Sequence, residues 1–195
     1  MEIDLTNLFV RRQHLAAEGA APSVLALIAE QVCALLMEDA HRDLNAPYAG
    51  EELLRWKTVN RGVAIDTDDG PIVPVVRDAQ TLSAAEFSAR IAALADRVRS
   101  NALSAGETEG GPFTLSNPGS LGPVRRAEAI LNTPQVALLG LPGIVRVPLV
   151  VERDDGAFVI EPRRVVRPSL TFDHSAMDGG TTIRFLNALK ARLEA

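Results

Sequence analysis

The chain contains a single cysteine, Cys33, among its 195 residues. One thiol excludes a disulfide framework and a thiolate metal centre, and its place in an apolar helical stretch reads as a core side chain. No apolar run is long enough to span a bilayer. The amino terminus lacks the basic and apolar regions of a signal peptide, so the expected compartment is the cytosol. A surplus of positive charge is also missing. Twenty Lys and Arg against 25 Asp and Glu leave a formal charge of −5, which gives no support for a nucleic-acid or anionic-membrane partner. The arginine pairs Arg11–Arg12, Arg125–Arg126 and Arg163–Arg164 are short. They read as solvated faces, one of which could meet the phosphates of a nucleotide-containing ligand. Internal repeats and low-complexity linkers are absent too, so residues 1–195 are expected to form one continuous domain.

What is present is an ordinary globular composition, 47% hydrophobic and 23% charged, in a chain long enough to bury a sizeable core. MEIDLTNLF begins as a short strand with a turn. Ser23 opens a long helical pattern running to Leu44. Thr58–Asp66 and Ile72–Val76 read as strands joined by the turn DTDDG. Ser83 with Glu86 forms a capping box for the helix AAEFSARIAALADRVRS. ETEGGP is a loop before the short strand FTLSN, and Gln135–Leu141 is apolar enough for a strand covered on both faces. Val145–Val151, Ala157–Glu161 and Val165–Phe172 follow as strands, and a helix TTIRFLNALKARLEA runs to the last residue. This irregular mixture predicts an α+β fold, a layered sandwich.

The segment Leu170–Gly180, LTFDHSAMDGG, concentrates the chemistry. His174 follows an apolar strand, Asp178 comes four residues later, and two glycines precede the last helix. A base at a rigid strand end suits proton abstraction from a bound nucleophile; a strand-end histidine satisfied by its own backbone is the alternative. In GGPFTLSNPG, glycines bracket a strand ending in Ser116, whose hydroxyl could serve an oxyanion or cap a turn.

Three strings together, VNRGVAIDTDDGPIVPVVRDA, GGPFTLSNPGSLG and DHSAMDGG, resemble the catalytic domain of the dihydrolipoamide acyltransferases of 2-oxo acid dehydrogenase complexes. The resemblance runs through nearly the whole chain. It implies the chloramphenicol acetyltransferase-like fold: a two-layer α/β sandwich with a mixed sheet, acting as a homotrimer with active sites between subunits. It implies CoA or acetyl-CoA as cosubstrate, with no metal. His174 takes the position of the general base, Ser116 that of the oxyanion donor, and Asp178 that of the polar residue supporting the histidine's loop. An imidazole, with an ordinary pKa of roughly 6.5, accepts a proton near neutrality, and one oxyanion donor lowers a barrier by about 3 kcal/mol.

The chain also departs from that family's pattern. No lipoyl or subunit-binding domain precedes the match, so no covalently bound lipoyl group is expected on this chain. No apolar tail follows the last helix, and Ser175 stands where the family has arginine. HSAMDG thereby resembles the HxxxDG motif of chloramphenicol acetyltransferases. The leading expectation is a free-standing acetyl-CoA-dependent O-acyltransferase whose acceptor is a small-molecule alcohol, a tetronate polyketide intermediate being the most specific guess. The alternative is the core acyltransferase of a 2-oxo acid dehydrogenase complex, moving acyl groups between dihydrolipoamide and CoA. A non-catalytic scaffold and a serine hydrolase are weaker alternatives, the latter for want of a GxSxG elbow. Tyr48, Trp56 and Met177 are candidate acceptor-pocket residues.

Overall fold

The computed structural model describes residues 1–50 and 52–195, the side chain of Ala49 excepted. The chain opens with β1 (Ile3–Asp4) and then turns into α1 (Thr6–Ala17). The first helix is an addition to the strand and turn expected there. Asp4 starts it, because its carboxylate accepts from the Thr6 backbone N–H at 2.9 Å and the Thr6 hydroxyl at 2.6 Å. The second helical pattern divides. α2 covers Val24–Leu36, capped by the Ser23 hydroxyl on the Ala26 N–H at 3.1 Å, and a 3₁₀ stretch over Asp39–Asn45 follows. Breaking the helix at Glu38, whose backbone is extended, lets His41, Leu44 and Asn45 bury together.

A small ribbon, β2 (Tyr48–Ala49) with β3 (Glu52–Leu53), leads to β4 (Arg61–Ala64) and β5 (Val75–Val76). The latter two pair antiparallel through Arg61–Val76 and Gly62–Val75, with a further bridge at Ile65–Ile72. This is the expected strand–turn–strand, with shorter strands. α3 (Ala84–Arg99) starts at the Ser83–Glu86 capping box as expected. Then come β6 (Phe113–Ser116), β7 (Ala137–Gly140), β8 (Val145–Glu152), β9 (Phe158–Val166), β10 (Ser169–Phe172) and α4 (Gly179–Glu194).

The strand expected over Val165–Phe172 is two strands in different sheets. Pro168 has no N–H to give a ladder, so β9 ends at Val166 and the chain crosses to begin β10 at Ser169. β1, β9 and β8 form an antiparallel sheet, and β10-β7-β6-β4-β5 form a mixed one in which β4, β6 and β7 are parallel. The fold is therefore α+β with a mixed sheet. One hydrophobic cluster joins Leu27, Leu35 and Leu36 of α2 and Phe185, Leu189 and Leu193 of α4 to Val63, Phe113, Leu115 and Leu139 of the sheet. Helices thus cover one sheet face. Removing one such buried Leu side chain costs about 2–5 kcal/mol.

On that covered face lies an arginine. Arg61 is fully buried, its guanidinium 4.4 Å from the Phe113 ring centroid and 4.0 Å from the Cys33 sulfur. Cys33 is a buried free thiol, as its apolar setting suggests. No helix among the described residues is long and apolar enough to cross a membrane.

Candidate active site

Alternation along β6 decides where Ser116 points. Phe113 and Leu115 are fully buried against the helices, so Thr114 and Ser116 face the opposite side. Thr114 confirms that side, donating to the Gln135 amide oxygen at 2.9 Å while the Gln135 nitrogen donates to the Gly111 carbonyl at 2.7 Å. Ser116 is the last residue of β6, half-buried, in register with Ala64 of β4 and Gly140 of β7. Its carbonyl accepts from the Leu141 N–H at 2.7 Å. The chain then makes a tight 3₁₀ turn over Pro118–Ser120. Gly119 is required there: a Cβ would fall 2.5–2.6 Å from the Pro142 and Gly143 backbone. The glycine in the SNPG string therefore serves a backbone-to-backbone contact that fixes the end of β6.

His174 is exposed, two residues beyond β10, and its ring lies 5.1 Å from that of Phe172. The turn that presents it is built around Asp173. The Asp173 N–H donates to the Val136 carbonyl at 2.9 Å, and its carbonyl accepts from Ala176 and Met177, both at 3.2 Å. Its carboxylate accepts from the Ser175 N–H at 2.9 Å and hydroxyl at 2.6 Å. Those two bonds hold the Asp173 carboxyl below its ordinary range. Ser175, found where arginine was expected, thus ties the carboxyl side of the histidine back to Asp173 on its amino side.

Asp178 caps α4. Its side chain accepts from the Thr181 N–H at 2.7 Å, which with the nearby Arg184 charge lowers its pKa. That bond is to the start of α4, where the segment carrying His174 ends.

Strand register separates the two groups. Ser116 is level with Gly140 and Ser169, whereas Phe172 is level with Ala137 and Phe113, at the other ends of the same strands. Three residues along the strands and two strand spacings across amount to about 10 Å each way, so roughly 14 Å separates the Ser116 and Phe172 backbones. His174 lies beyond Phe172. Within one chain the histidine and serine cannot share a reacting atom.

Beside the His174 end of the sheet is a cavity of about 370 Å³ lined by Trp56, Pro47, Val73, Val75, Gly111 and Gln135. Of the three pocket candidates only Trp56 lines it. Tyr48 sits in β2 with its N–H on the Pro134 carbonyl at 2.8 Å, and Met177 packs against the core. Gln135 was not anticipated, since its position inside an apolar strand concealed its role in joining β6 to the start of β7. Among the described residues no group of three or more His, Cys, Asp or Glu could hold a metal ion.

The whole chain, residues 1–195, matches the family model for the catalytic domain of the 2-oxoacid dehydrogenases acyltransferase. The protein belongs to that family. Its curated relatives include the dihydrolipoyllysine-residue acetyltransferase component of the pyruvate dehydrogenase complex of Corynebacterium glutamicum, 35% identical over 99% of this chain and 29% of that protein. The lipoamide acyltransferase component of the branched-chain alpha-keto acid dehydrogenase complex of Bacillus subtilis is 32% identical over 100% and 46%. The chain spans less than half the length of these two relatives. A solved structure of the Azotobacter vinelandii dihydrolipoamide acetyltransferase superposes with a TM-score of 0.86 at 33% identity, covering 100% of this chain and 79% of that one. That work concerns a serine, a histidine and an asparagine in the catalytic mechanism. Chloramphenicol acetyltransferase shares the fold, with a TM-score of 0.56 at 17% identity over 99% and 86% of the two chains. The matched family is defined by an acyltransferase catalytic domain. The two curated relatives belong to 2-oxo acid dehydrogenase complexes, so they favour the second functional expectation over the first, and the tetronate guess gains no support from them.

Proposed function

We propose that this chain transfers acyl groups between CoA and a dihydrolipoamide-type dithiol, as a homotrimer in which His174 of one copy meets Ser116 of another. The observation that carries this reading is the strand register, which sets the two groups at opposite ends of one sheet and leaves each half-site incomplete alone. The Azotobacter work supports the residue types, and its histidine and asparagine stand four apart in sequence, as His174 and Asp178 do. The names of the relatives support the acceptor.

In this reading the His174 imidazole removes the proton of the attacking thiol. The sulfur adds to the thioester carbonyl, and the Ser116 hydroxyl donates to the oxyanion that forms. Collapse expels the other thiolate, which takes the proton back from the imidazolium. Asp173 and Asp178 hold the two ends of the histidine turn, so the base arrives with its loop already ordered. Purified protein with acetyl-CoA and dihydrolipoamide should release CoA. His174→Ala should abolish that turnover and Ser116→Ala should lower it about 100- to 1000-fold. Undiminished turnover in His174→Ala would remove the base.

A second reading keeps the machinery and changes the acceptor to a small-molecule alcohol. Ser175 favours it: this residue closes on Asp173 and brings no cation beside the histidine, unlike the arginine of the family pattern. Comparing dihydrolipoamide with small alcohols under one acyl donor decides between the two.

A further inference from the structure

His174 does not fix its own position. Among the described residues it makes no hydrogen bond, and its ring meets only that of Phe172, at 5.1 Å. Its placement is therefore inherited from its neighbours in the chain. Two carboxylates flank it, Asp173 directly before and Asp178 four residues after. The family resemblance gives the supporting role to Asp178, but the geometry divides the two differently.

The Asp178 carboxylate turns into the first turn of α4, where it accepts from the Thr181 N–H at 2.7 Å with the Arg184 charge nearby. Among the described residues it makes no bond back to residues 173–177. Asp173 does the reverse. Its N–H donates to the Val136 carbonyl at 2.9 Å, which carries the β10–β7 pairing one residue past Phe172 and fixes Asp173 to the sheet. Phe172 in turn packs against the core, so the anchor is rigid. From that anchor the Asp173 carbonyl accepts from the Ala176 and Met177 N–H groups, both at 3.2 Å. Its carboxylate accepts from the Ser175 N–H at 2.9 Å and from the Ser175 hydroxyl at 2.6 Å. Among the described residues, every hydrogen bond within 173–177 thus ends on Asp173. The two carboxylate bonds close a ring over His174, from the residue before it to the residue after it, as an aspartate favours at such a turn. An ionised acceptor makes both bonds stronger than a neutral one would.

We infer that Asp173 is the positioning residue of the base, with Ser175 as its clasp, while Asp178 sets the start of α4. The kinetic consequence rests on the acyl-transfer reading above; the ordering of the turn stands apart from it. Without the clasp, the His174 backbone is held from one side only. A base that wanders leaves substrate binding as it was but meets the thiol proton in the right geometry less often. The loss therefore falls on kcat and not on KM.

The test measures kcat and KM with acetyl-CoA and dihydrolipoamide, together with the backbone amide order parameter of residue 174. The proteins compared are the wild type, Asp173→Ala, Asp173→Asn, Ser175→Ala, Ser175→Thr and Asp178→Ala. Asp173→Ala should lower kcat about 10- to 100-fold with KM within twofold. Its order parameter should drop from about 0.85, the value of a rigid backbone, to below about 0.6. Asp173→Asn keeps an acceptor oxygen and should recover most of both. Ser175→Ala loses the hydroxyl bond alone and should fall between the wild type and Asp173→Ala, with Ser175→Thr restoring it. Should Asp173→Ala fail to fold, the two Ser175 variants make the same comparison. Asp178→Ala should lose less kcat than Asp173→Ala once its unfolded fraction is subtracted. A turn that stays rigid in Asp173→Ala, an Asp173→Asn protein no better than Asp173→Ala, or a larger kcat loss in Asp178→Ala would overturn the proposal. Wild-type protein without turnover would refute the acyl-transfer reading, and the order parameters would still decide whether Asp173 holds the turn.

Discussion

Asp178 shows how a motif side chain acts on the backbone that follows it. Its carboxylate accepts from the Thr181 N–H and so starts α4. Replacing it by alanine should cost about 1 kcal/mol of stability, the usual value of an N-cap, read as a shift in urea midpoint. If it also orders the His174 loop, turnover should fall by more than the fraction unfolded explains. Arg61 invites the opposite change. Burial presses its pKa down, the nearby Cys33 only partly opposing this, and its Nε has no hydrogen-bond partner among the described residues. A guanidinium stays charged in a protein, and an uncompensated buried charge is costly. Arg61→Met keeps the volume and the contact with Phe113 while removing the charge. It is expected to fold and to raise the melting temperature by several degrees; a lowered one would show that Arg61 is held by more than its visible neighbours.

Among the elements, those carried by local chemistry were legible and those decided by distant packing were not. The Ser83–Glu86 box, the β4–β5 hairpin and the last helix all follow from turn and cap residues in the string. The first helix is hard to read in the string because Leu8 is its one buried side chain, which leaves a faint apolar stripe. The long helical pattern from Ser23 ran on past Leu36 because nothing local marks the break. The partner that draws His41 inward, Phe185 at 5.6 Å, is 144 positions away in sequence. That burial has a pH signature. Desolvation lowers the His41 pKa from its ordinary 6.5, Glu38 opposing and Arg184 and Arg192 adding to the shift. A depressed folded-state pKa means the unfolded chain takes the proton first. The stability tied to neutral His41 is whole above about pH 6.5 and is lost as pH falls below it. Urea midpoints at pH 7.5 and 5.5 should therefore differ more in the wild type than in His41→Leu. Equal differences would assign the pH dependence elsewhere.

For the molecule as a whole, the candidate site residues are nameable from the string, and the family resemblance already implies active sites between subunits. The antiparallel return of β10 along β7 supplies the distance, placing Ser116 and Phe172 at opposite ends of one sheet. The β8–β9 hairpin belongs with this. Its outer face carries Val150, Phe158 and Ile160 at 69%, 70% and 73% exposure, in adjacent register through Val150–Ile160 and Glu152–Phe158. Such a patch is expected to be covered by a second copy in the proposed trimer. Phe158→Asp with Ile160→Asp should lower the mass in solution toward a monomer and abolish turnover, while circular dichroism stays unchanged. The shared site is tested most directly by mixing inactive subunits. His174→Ala and Ser116→Ala proteins, each impaired alone, are unfolded together, refolded together and assayed with acetyl-CoA and dihydrolipoamide. Mixed trimers contain interfaces with an intact His174 from one copy and an intact Ser116 from the other, so a substantial fraction of wild-type turnover should return. A mixture no more active than its better component would contradict the account.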